Sequence, residues 1–124
     1  MPVRSLSSSV LAWPNRQTVE RAVRDWAAIS ASRHPETLLI GYHGSYARGD
    51  WGVGSDVDIL VIVESSQNSF ERRSVGWDAT TLPVPADVVV YTRQEWHRLQ
   101  EKRHSAQKIA RDVVWVYERQ ENGV

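Results

Sequence analysis

Two acidic residues, Asp56 and Asp58, stand one residue apart, and Asp58 is followed directly by the apolar run 59–63. Residues i and i+2 of a β-strand point to the same face, so the two carboxylates are predicted to lie side by side at the start of a buried strand. Adjacent carboxylates repel each other unless a cation lies between them. Hard oxygen ligands of this kind suit Mg²⁺, with Mn²⁺ as an alternative. The pair therefore predicts a divalent-metal site.

A third acid, Asp87, begins another apolar run, 88–91. If the two strands are neighbours, Asp87 comes near Asp56 and Asp58. Three carboxylates at one edge of a sheet can hold two divalent ions about 3.5–4 Å apart. We therefore expect all three residues to be metal ligands and catalytic residues, and Asp87 can also accept a proton from an acceptor hydroxyl.

A small, hydroxyl-bearing turn, Gly44-Ser45-Tyr46-Ala47-Arg48-Gly49, precedes the acids. Such a turn offers backbone N–H groups and a hydroxyl to a phosphate. Arg48 is read equally well as a phosphate contact or as the ion-pair partner of Asp50. Of the four histidines, only His43 invites attention, because it lies beside this turn.

The composition fits one folded domain over residues 1–124, of which 1–9 are expected to be flexible. The chain is 41% apolar and 24% charged, and fifteen basic residues balance fifteen acidic ones. Zero net charge argues against nucleic acid as the main partner. No run approaches the ~20 apolar residues of a membrane span, and no secretory signal is evident, so a cytoplasmic protein is expected.

Helical and strand patterns alternate along the chain. The sequence predicts a first helix that is capped by Asn15 or Thr18 and ends near Arg33. It predicts further helices over Ser45–Gly49, from Phe70 to about Thr80, after Thr92, and over Ser105–Ala110. It predicts strands over Thr37–His43, Asp56–Glu64, Ala86–Tyr91 and Asp112–Glu118. Thr92 and Glu95 are predicted to form a capping box. The predicted fold is α/β (α+β), with a small mixed β-sheet backed by helices.

The order of these motifs resembles the DNA polymerase beta-like nucleotidyltransferase superfamily. Gly44-Ser45, a ten-residue gap, Asp56-Val57-Asp58 and a later strand acid, Asp87, follow its pattern. The segments 44–49 and 54–58 look like its minimal, antitoxin-type branch, and the resemblance covers about residues 10–120.

The resemblance implies a fold and a reaction. The family moves a nucleoside monophosphate from an NTP to a hydroxyl and releases pyrophosphate, with two Mg²⁺ ions. By carry-over, Gly44, Ser45, Arg48 and Ser55 would bind the nucleotide, which we expect to be ATP, and the three acids would hold the metal ions. The minimal branch implies an antitoxin that adenylylates a tyrosine of a helical HEPN-type toxin, with homo-oligomerisation left open.

Two alternatives remain at this stage. The first keeps the chemistry but transfers the nucleotide to a small molecule such as an aminoglycoside. The second is an antitoxin that neutralises its partner by binding alone, without catalysis.

Overall fold

The structure, a computed structural model, describes residues 14–50, 52 and 54–120. The helices are α1 (Arg16–Arg33), α2 (Ser45–Arg48), α3 (Phe70–Arg73), α4 (Arg93–Lys102) and α5 (His104–Asp112). The strands are β1 (Thr37–His43), β2 (Val57–Val63), β3 (Ala86–Thr92) and β4 (Val114–Glu118). The expected flexibility of residues 1–9 lies outside the described residues, and one domain over 1–124 stays a prediction.

The four strands form one mixed sheet in the order β3-β2-β1-β4. β2 runs parallel to β3, whereas β1 is antiparallel to both β2 and β4. As a result β1 ends at the same edge of the sheet where β2 and β3 begin. The predicted mixed sheet is confirmed, and every residue of β2 except Asp58 is buried, as its apolar run predicts.

Helix α1 covers one face of the sheet with the stripe that its sequence predicts. Asn15 caps the helix by accepting a hydrogen bond from the Thr18 amide at 2.8 Å. The buried residues that recur at helical spacing are Val19, Val23, Trp26 and Ala27. They pack on the residues of β2 whose side chains point to this face, which include Ile59 and Val61.

Helices α4 and α5 cover part of the opposite face. Trp96 from α4 and Ala106 from α5 join Leu60 and Ile62 of β2 in a second apolar cluster. The chain enters α4 through the predicted capping box, which is confirmed: Thr92 and Glu95 each bond to the other's backbone amide. Asp58 belongs to this face, because it alternates with buried Val57 and precedes Leu60 by two residues.

Strand β4 packs closely against β1 at Gly41. A Cβ atom at this position would come within 2.7 Å of both the Trp115 ring and the Val113 side chain. Only glycine lets the two backbones approach this closely without rearrangement.

Some predicted boundaries are wrong. The helix predicted from Phe70 to about Thr80 is one α-turn, α3, followed by a 3₁₀ turn over Ser74–Gly76. The chain leaves the helical path at Trp77, whose buried ring stacks on His34 with centroids 4.0 Å apart. Strand β2 begins at Val57 rather than Asp56, and Asp112 ends α5 rather than beginning β4.

Candidate active site

Three strands bring polar side chains together at one edge of the sheet. His43, the last residue of β1, is the register partner of Asp58 in β2. Asp58 is in turn the register partner of Asp87 in β3. Neighbouring strands lie about 4.8 Å apart, and directly paired residues point to the same face. His43, Asp58 and Asp87 therefore form one row across the sheet, which we call the carboxylate row.

The other predicted acid, Asp56, lies just outside this row. It precedes β2 by one residue and is exposed, as is Asp87, whereas Asp58 is half-buried. Asp56 is nevertheless close enough for its charge to raise the pKa of Asp58. The structure thus pairs Asp58 directly with Asp87 and places Asp56 at the same edge of the sheet, just before β2 begins.

Gly44 brings the backbone of the turn against Asp58. Its φ of 81° and ψ of −149° lie in a region that is open essentially to glycine alone. A Cβ at this position would overlap a carboxylate oxygen of Asp58. The sequence predicted a phosphate-binding turn and a carboxylate pair as separate parts; the structure shows that they touch.

The remaining predicted nucleotide-binding residues differ in what they contact. Arg48 pairs with Asp50, with 3.2 Å between Nε and the carboxylate, and both side chains are exposed. Exposed ion pairs of this kind contribute about 0–1 kcal/mol to the free energy of unfolding, so the Arg48 guanidinium is held only weakly. Ser55 accepts a hydrogen bond from the Gly52 amide at 2.9 Å, which closes the loop before β2. Ser45 begins α2, and its hydroxyl makes no hydrogen bond to any described residue.

The electrostatics of the carboxylate row reflect burial and crowding. Burial is the main cause that raises the pKa of Asp58, and the charges of Asp87 and Asp56 raise it further, while His43 and Arg48 act in the opposite direction. Burial also lowers the pKa of His43, against the pull of Asp58 and Asp87. His43 is therefore a neutral imidazole near pH 7, because its pKa lies below the usual 6.5.

The donor set fits a divalent cation chemically. Carboxylate oxygens are the ligands that Mg²⁺ prefers, and a cation would relieve the repulsion that Asp58 feels from its two acidic neighbours. Within the described residues, no three His, Asp or Glu side chains have gathered closely enough to coordinate a single ion. The exposed Asp56 and Asp87 side chains would have to turn toward Asp58 to close around one.

The sequence analysis did not predict that His43 pairs with Asp58. Its position at the end of β1 was noted, but its direct pairing with Asp58 depends on the register of β1 and β2. The sequence did contain one signal: His43 directly precedes Gly44, the residue that packs on Asp58.

Comparisons with known proteins identify the family of this chain. A protein-family model described as a nucleotidyltransferase domain matches residues 27–116, which include the turn and all three acids. This chain belongs to the nucleotidyltransferase domain family. The resemblance to nucleotidyltransferases is confirmed, and nucleotidyl transfer is the activity that this family supports, whereas the antitoxin-type branch stays a prediction.

Two solved structures share the fold. A provisionally assigned nucleotidyltransferase from Sulfolobus solfataricus aligns with a TM-score of 0.64 at 20% identity, covering 86% of this chain and 86% of that one. A crystal structure of a toxin–antitoxin with AMP-PNP aligns with a TM-score of 0.51 at 16% identity, covering 80% of this chain and 76% of that one. At such identities the nucleotidyltransferase domain shares their fold, which confirms the predicted fold class. A search of curated proteins gave no match.

No helix in the described part of the chain combines the length and the apolar character needed to cross a bilayer.

Proposed function

We propose that this nucleotidyltransferase moves AMP from ATP to a hydroxyl of a protein acceptor, namely a tyrosine of a HEPN-type toxin whose antitoxin it is. The observation that carries the chemistry is the register pairing of Asp58 with Asp87, beside a turn that packs on Asp58. The toxin partner is supported by the likeness in fold to a toxin–antitoxin structure. A cytoplasmic location, where ATP is supplied, is part of the same proposal.

In the proposed site, Asp56, Asp58 and Asp87 would hold two Mg²⁺ ions, or Mn²⁺ in their place. The metal would supply positive charge that stabilises the triphosphate and the acceptor oxygen. Gly44 and Ser45 offer backbone N–H groups to the phosphates, because the first amides of α2 have no partner within the helix. Arg48, released from its exposed pair with Asp50, and Ser55 complete the nucleotide contacts.

The reaction is an in-line displacement at the α-phosphorus. The acceptor hydroxyl oxygen forms the new O–P bond as the bond from phosphorus to the bridging oxygen of the β-phosphate breaks, and pyrophosphate leaves. Asp87 takes the hydroxyl proton, because it is the exposed member of the row.

The experiment is a labelling reaction with three components. The full chain is incubated with α-labelled ATP, MgCl₂ and the helical protein encoded by the neighbouring gene. Label on a tyrosine of that protein is expected, and it should disappear in Asp58→Asn but persist in Asp25→Asn, which removes an exposed acid from α1. Absence of label on the partner with the active chain would overturn the proposal.

Two alternative outcomes remain distinct. An antitoxin that acts by contact alone would neutralise its toxin equally well as Asp58→Asn. A small-molecule transferase would instead label an aminoglycoside or a similar compound, and leave the partner protein unlabelled.

A further inference from the structure

A groove with an aromatic floor and a basic rim lies on α4, on the same face of the sheet as the carboxylate row. Its volume is 480 Å³, within the range of about 300–1,000 Å³ found for binding pockets. We call it the α4 groove and define it by these lining residues: Phe70, Tyr91, Arg98, Leu99, Lys102 and Arg103.

The aromatic floor is built from a stack that runs from the core to the surface. Trp96 is buried and stacks on Tyr91, with ring centroids 5.9 Å apart. Tyr91 stacks on Phe70 at 5.2 Å. Phe70 remains 44% exposed, which is unusual for a ring that its neighbours already hold in place. A rigid, exposed aromatic ring of this kind is a typical anchor for a partner side chain.

The basic rim carries charge that nothing described neutralises. Arg98, Lys102 and Arg103 are exposed, and none of them forms an ion pair with a described residue. Glu95, which is the only acid among the described residues that line the groove, is already paired with Arg73 through both carboxylate oxygens. It also accepts a hydrogen bond from the Thr92 amide at 2.9 Å. The groove therefore presents three uncompensated cations on a chain of zero net charge.

The groove adjoins a second cavity that reaches the carboxylate row. This cavity has a volume of 210 Å³, shares Tyr91, Leu99 and Arg103 with the groove, and includes His43 in its wall. It is also lined by Leu60 and Val89, the register pair that follows Asp58 and Asp87 on the same face. Its size, below the range for drug-sized ligands, suits a single side chain. A segment bound in the groove can thus place one side chain beside His43, at one end of the carboxylate row.

From these contacts we propose that the α4 groove is the acceptor-docking surface and that it binds an acidic protein segment. The inference rests on the proposed function and adds the chemistry of the partner: carboxylates face Arg98, Lys102 and Arg103, while an apolar or aromatic side chain packs on Phe70. The acceptor hydroxyl then enters the neighbouring cavity and approaches Asp87.

The test uses random copolymers as probes. A fluorescein-labelled Glu–Tyr copolymer, a Lys–Tyr copolymer and a single-stranded RNA of similar length are titrated with the full chain, and binding is measured by anisotropy. We expect the Glu–Tyr copolymer to bind tightest and to weaken with added salt, because exposed charges are screened. The double variant Arg98→Glu/Lys102→Glu should weaken its binding by about tenfold or more.

Two further variants sharpen the result. Arg21→Glu/Arg24→Glu makes the same change of charge on exposed positions of α1, across the sheet, and should leave binding unchanged. Phe70→Ala should weaken binding of the Glu–Tyr copolymer. It should lower the melting temperature only slightly, because the Phe70 ring is 44% exposed. Unchanged binding in Arg98→Glu/Lys102→Glu, equal binding of the Lys–Tyr copolymer, or tighter binding of RNA would each overturn the proposal.

A second readout separates this inference from the proposed function. Release of pyrophosphate from MgATP reports the chemistry without any protein acceptor, because the oxygen of a water molecule then bonds to the α-phosphorus as the bond to the bridging oxygen breaks. This release should be lost in Asp58→Asn but kept in Arg98→Glu/Lys102→Glu. Loss of release in the double variant would mean that these cations serve the nucleotide, and the groove proposal would be overturned. Copolymer binding without any pyrophosphate release would support the proposed docking surface and contradict the proposed reaction.

Discussion

Asp58 lies between His43 on one neighbouring strand and Asp87 on the other. Burial first, and then the charges of Asp87 and Asp56, raise the pKa of its carboxyl above the usual 3.8. A carboxyl with a raised pKa in the folded state binds its proton more tightly there than in the unfolded chain. The free energy of unfolding therefore falls as pH rises from the unfolded pKa through the folded pKa, and stays lower above it.

Replacing Asp58 should separate activity from stability. Asp58→Asn removes a carboxylate from the carboxylate row, so nucleotidyl transfer should fall by about 10³-fold or more. The same change removes a half-buried charge among like charges, so the melting temperature at pH 7 should rise. Pyrophosphate release and thermal unfolding measure the two effects, with Asp25→Asn as the control. Retained turnover would show that Asp58 does not act in the reaction.

Gly44 offers a test of the contact between the turn and the acids. Gly44→Ala introduces a Cβ that overlaps the Asp58 carboxylate, in a backbone conformation that alanine rarely adopts. We expect activity to fall by about 10²-fold, because small displacements of a catalytic group cost that much. Gly54→Ala is the matched control: its φ is also positive, at 88°, but apart from its chain neighbours no described residue has an atom within 4 Å of the added Cβ. Equal losses in both variants would attribute the effect to backbone strain alone.

At the scale of elements, an ion pair fastens α3 to the start of α4. The Arg73 guanidinium contacts both carboxylate oxygens of Glu95 and also donates to the Asn68 carbonyl at 3.1 Å. Arg73 is buried, and its bonds hold the pKa of Glu95 at about 2. Since the same Glu95 closes the capping box on Thr92, one carboxylate joins α3, β3 and α4.

The stabilisation from this ion pair should depend on pH with a defined sign. The folded pKa of Glu95, about 2, is below the unfolded value of 4.5, so its contribution is complete above pH 4.5 and is lost as pH falls toward 2. Glu95→Gln should lower the free energy of unfolding at pH 7 by about 1–2 kcal/mol, a modest value because the Glu95 side chain is 36% exposed. Urea unfolding at pH 7 and pH 3 measures both values.

The control for this prediction lies on the same helix. Glu101→Gln removes an exposed acid that pairs, among the described residues, only with exposed His97, and it should change the free energy of unfolding by less than about 0.5 kcal/mol. A Glu95→Gln effect of equal size at both pH values would contradict the expected linkage.

The elements also show what the sequence could and could not predict. The capping box of Thr92 and Glu95 is local, so its spacing was sufficient to predict it. The partner of Glu95 was not foreseeable, because Arg73 is 22 residues away and meets it only after α3 packs on β3. The length of the helix after Phe70 was predicted wrongly because Trp77 is drawn to His34 and Trp26 by contacts from a distant part of the chain.

The same distinction applies to the site. Asp56, Asp58 and Asp87 were found from their positions at the starts of apolar runs, which is a local signal. Their proximity required that β2 and β3 be neighbours in register, and the sequence could pose this only as a condition. The sequence favoured a solvated helix face for the basic run 93–111 and left open that this run binds an acceptor or partner. The groove itself was not found, because Phe70 and Arg98 belong to elements that only the tertiary fold brings together.

At the scale of the whole molecule, the site joins the ends of three strands. β1 delivers His43 and the turn, β2 delivers Asp58, and β3 delivers Asp87. Repulsion among the acids therefore acts between strands rather than within one, and it opposes the association of β2 with β3 at this edge. A divalent cation bound by the acids would turn that repulsion into a link between the strands, so metal binding should be coupled to global stability.

Magnesium should therefore raise the melting temperature of the full chain. A ligand that binds only the folded state adds RT ln(1 + [L]/Kd), about 2.7 kcal/mol when its concentration is 100 times Kd. We expect the melting temperature in MgCl₂ to be higher than that in KCl of equal ionic strength. The difference should grow as pH rises through the raised pKa of Asp58, because a proton competes with the metal for this carboxylate. Asp58→Asn should abolish the difference and Asp25→Asn should keep it. A magnesium effect of the same size in Asp58→Asn would place the ion elsewhere on the protein, since the central acid of the row would then make no contribution to holding it.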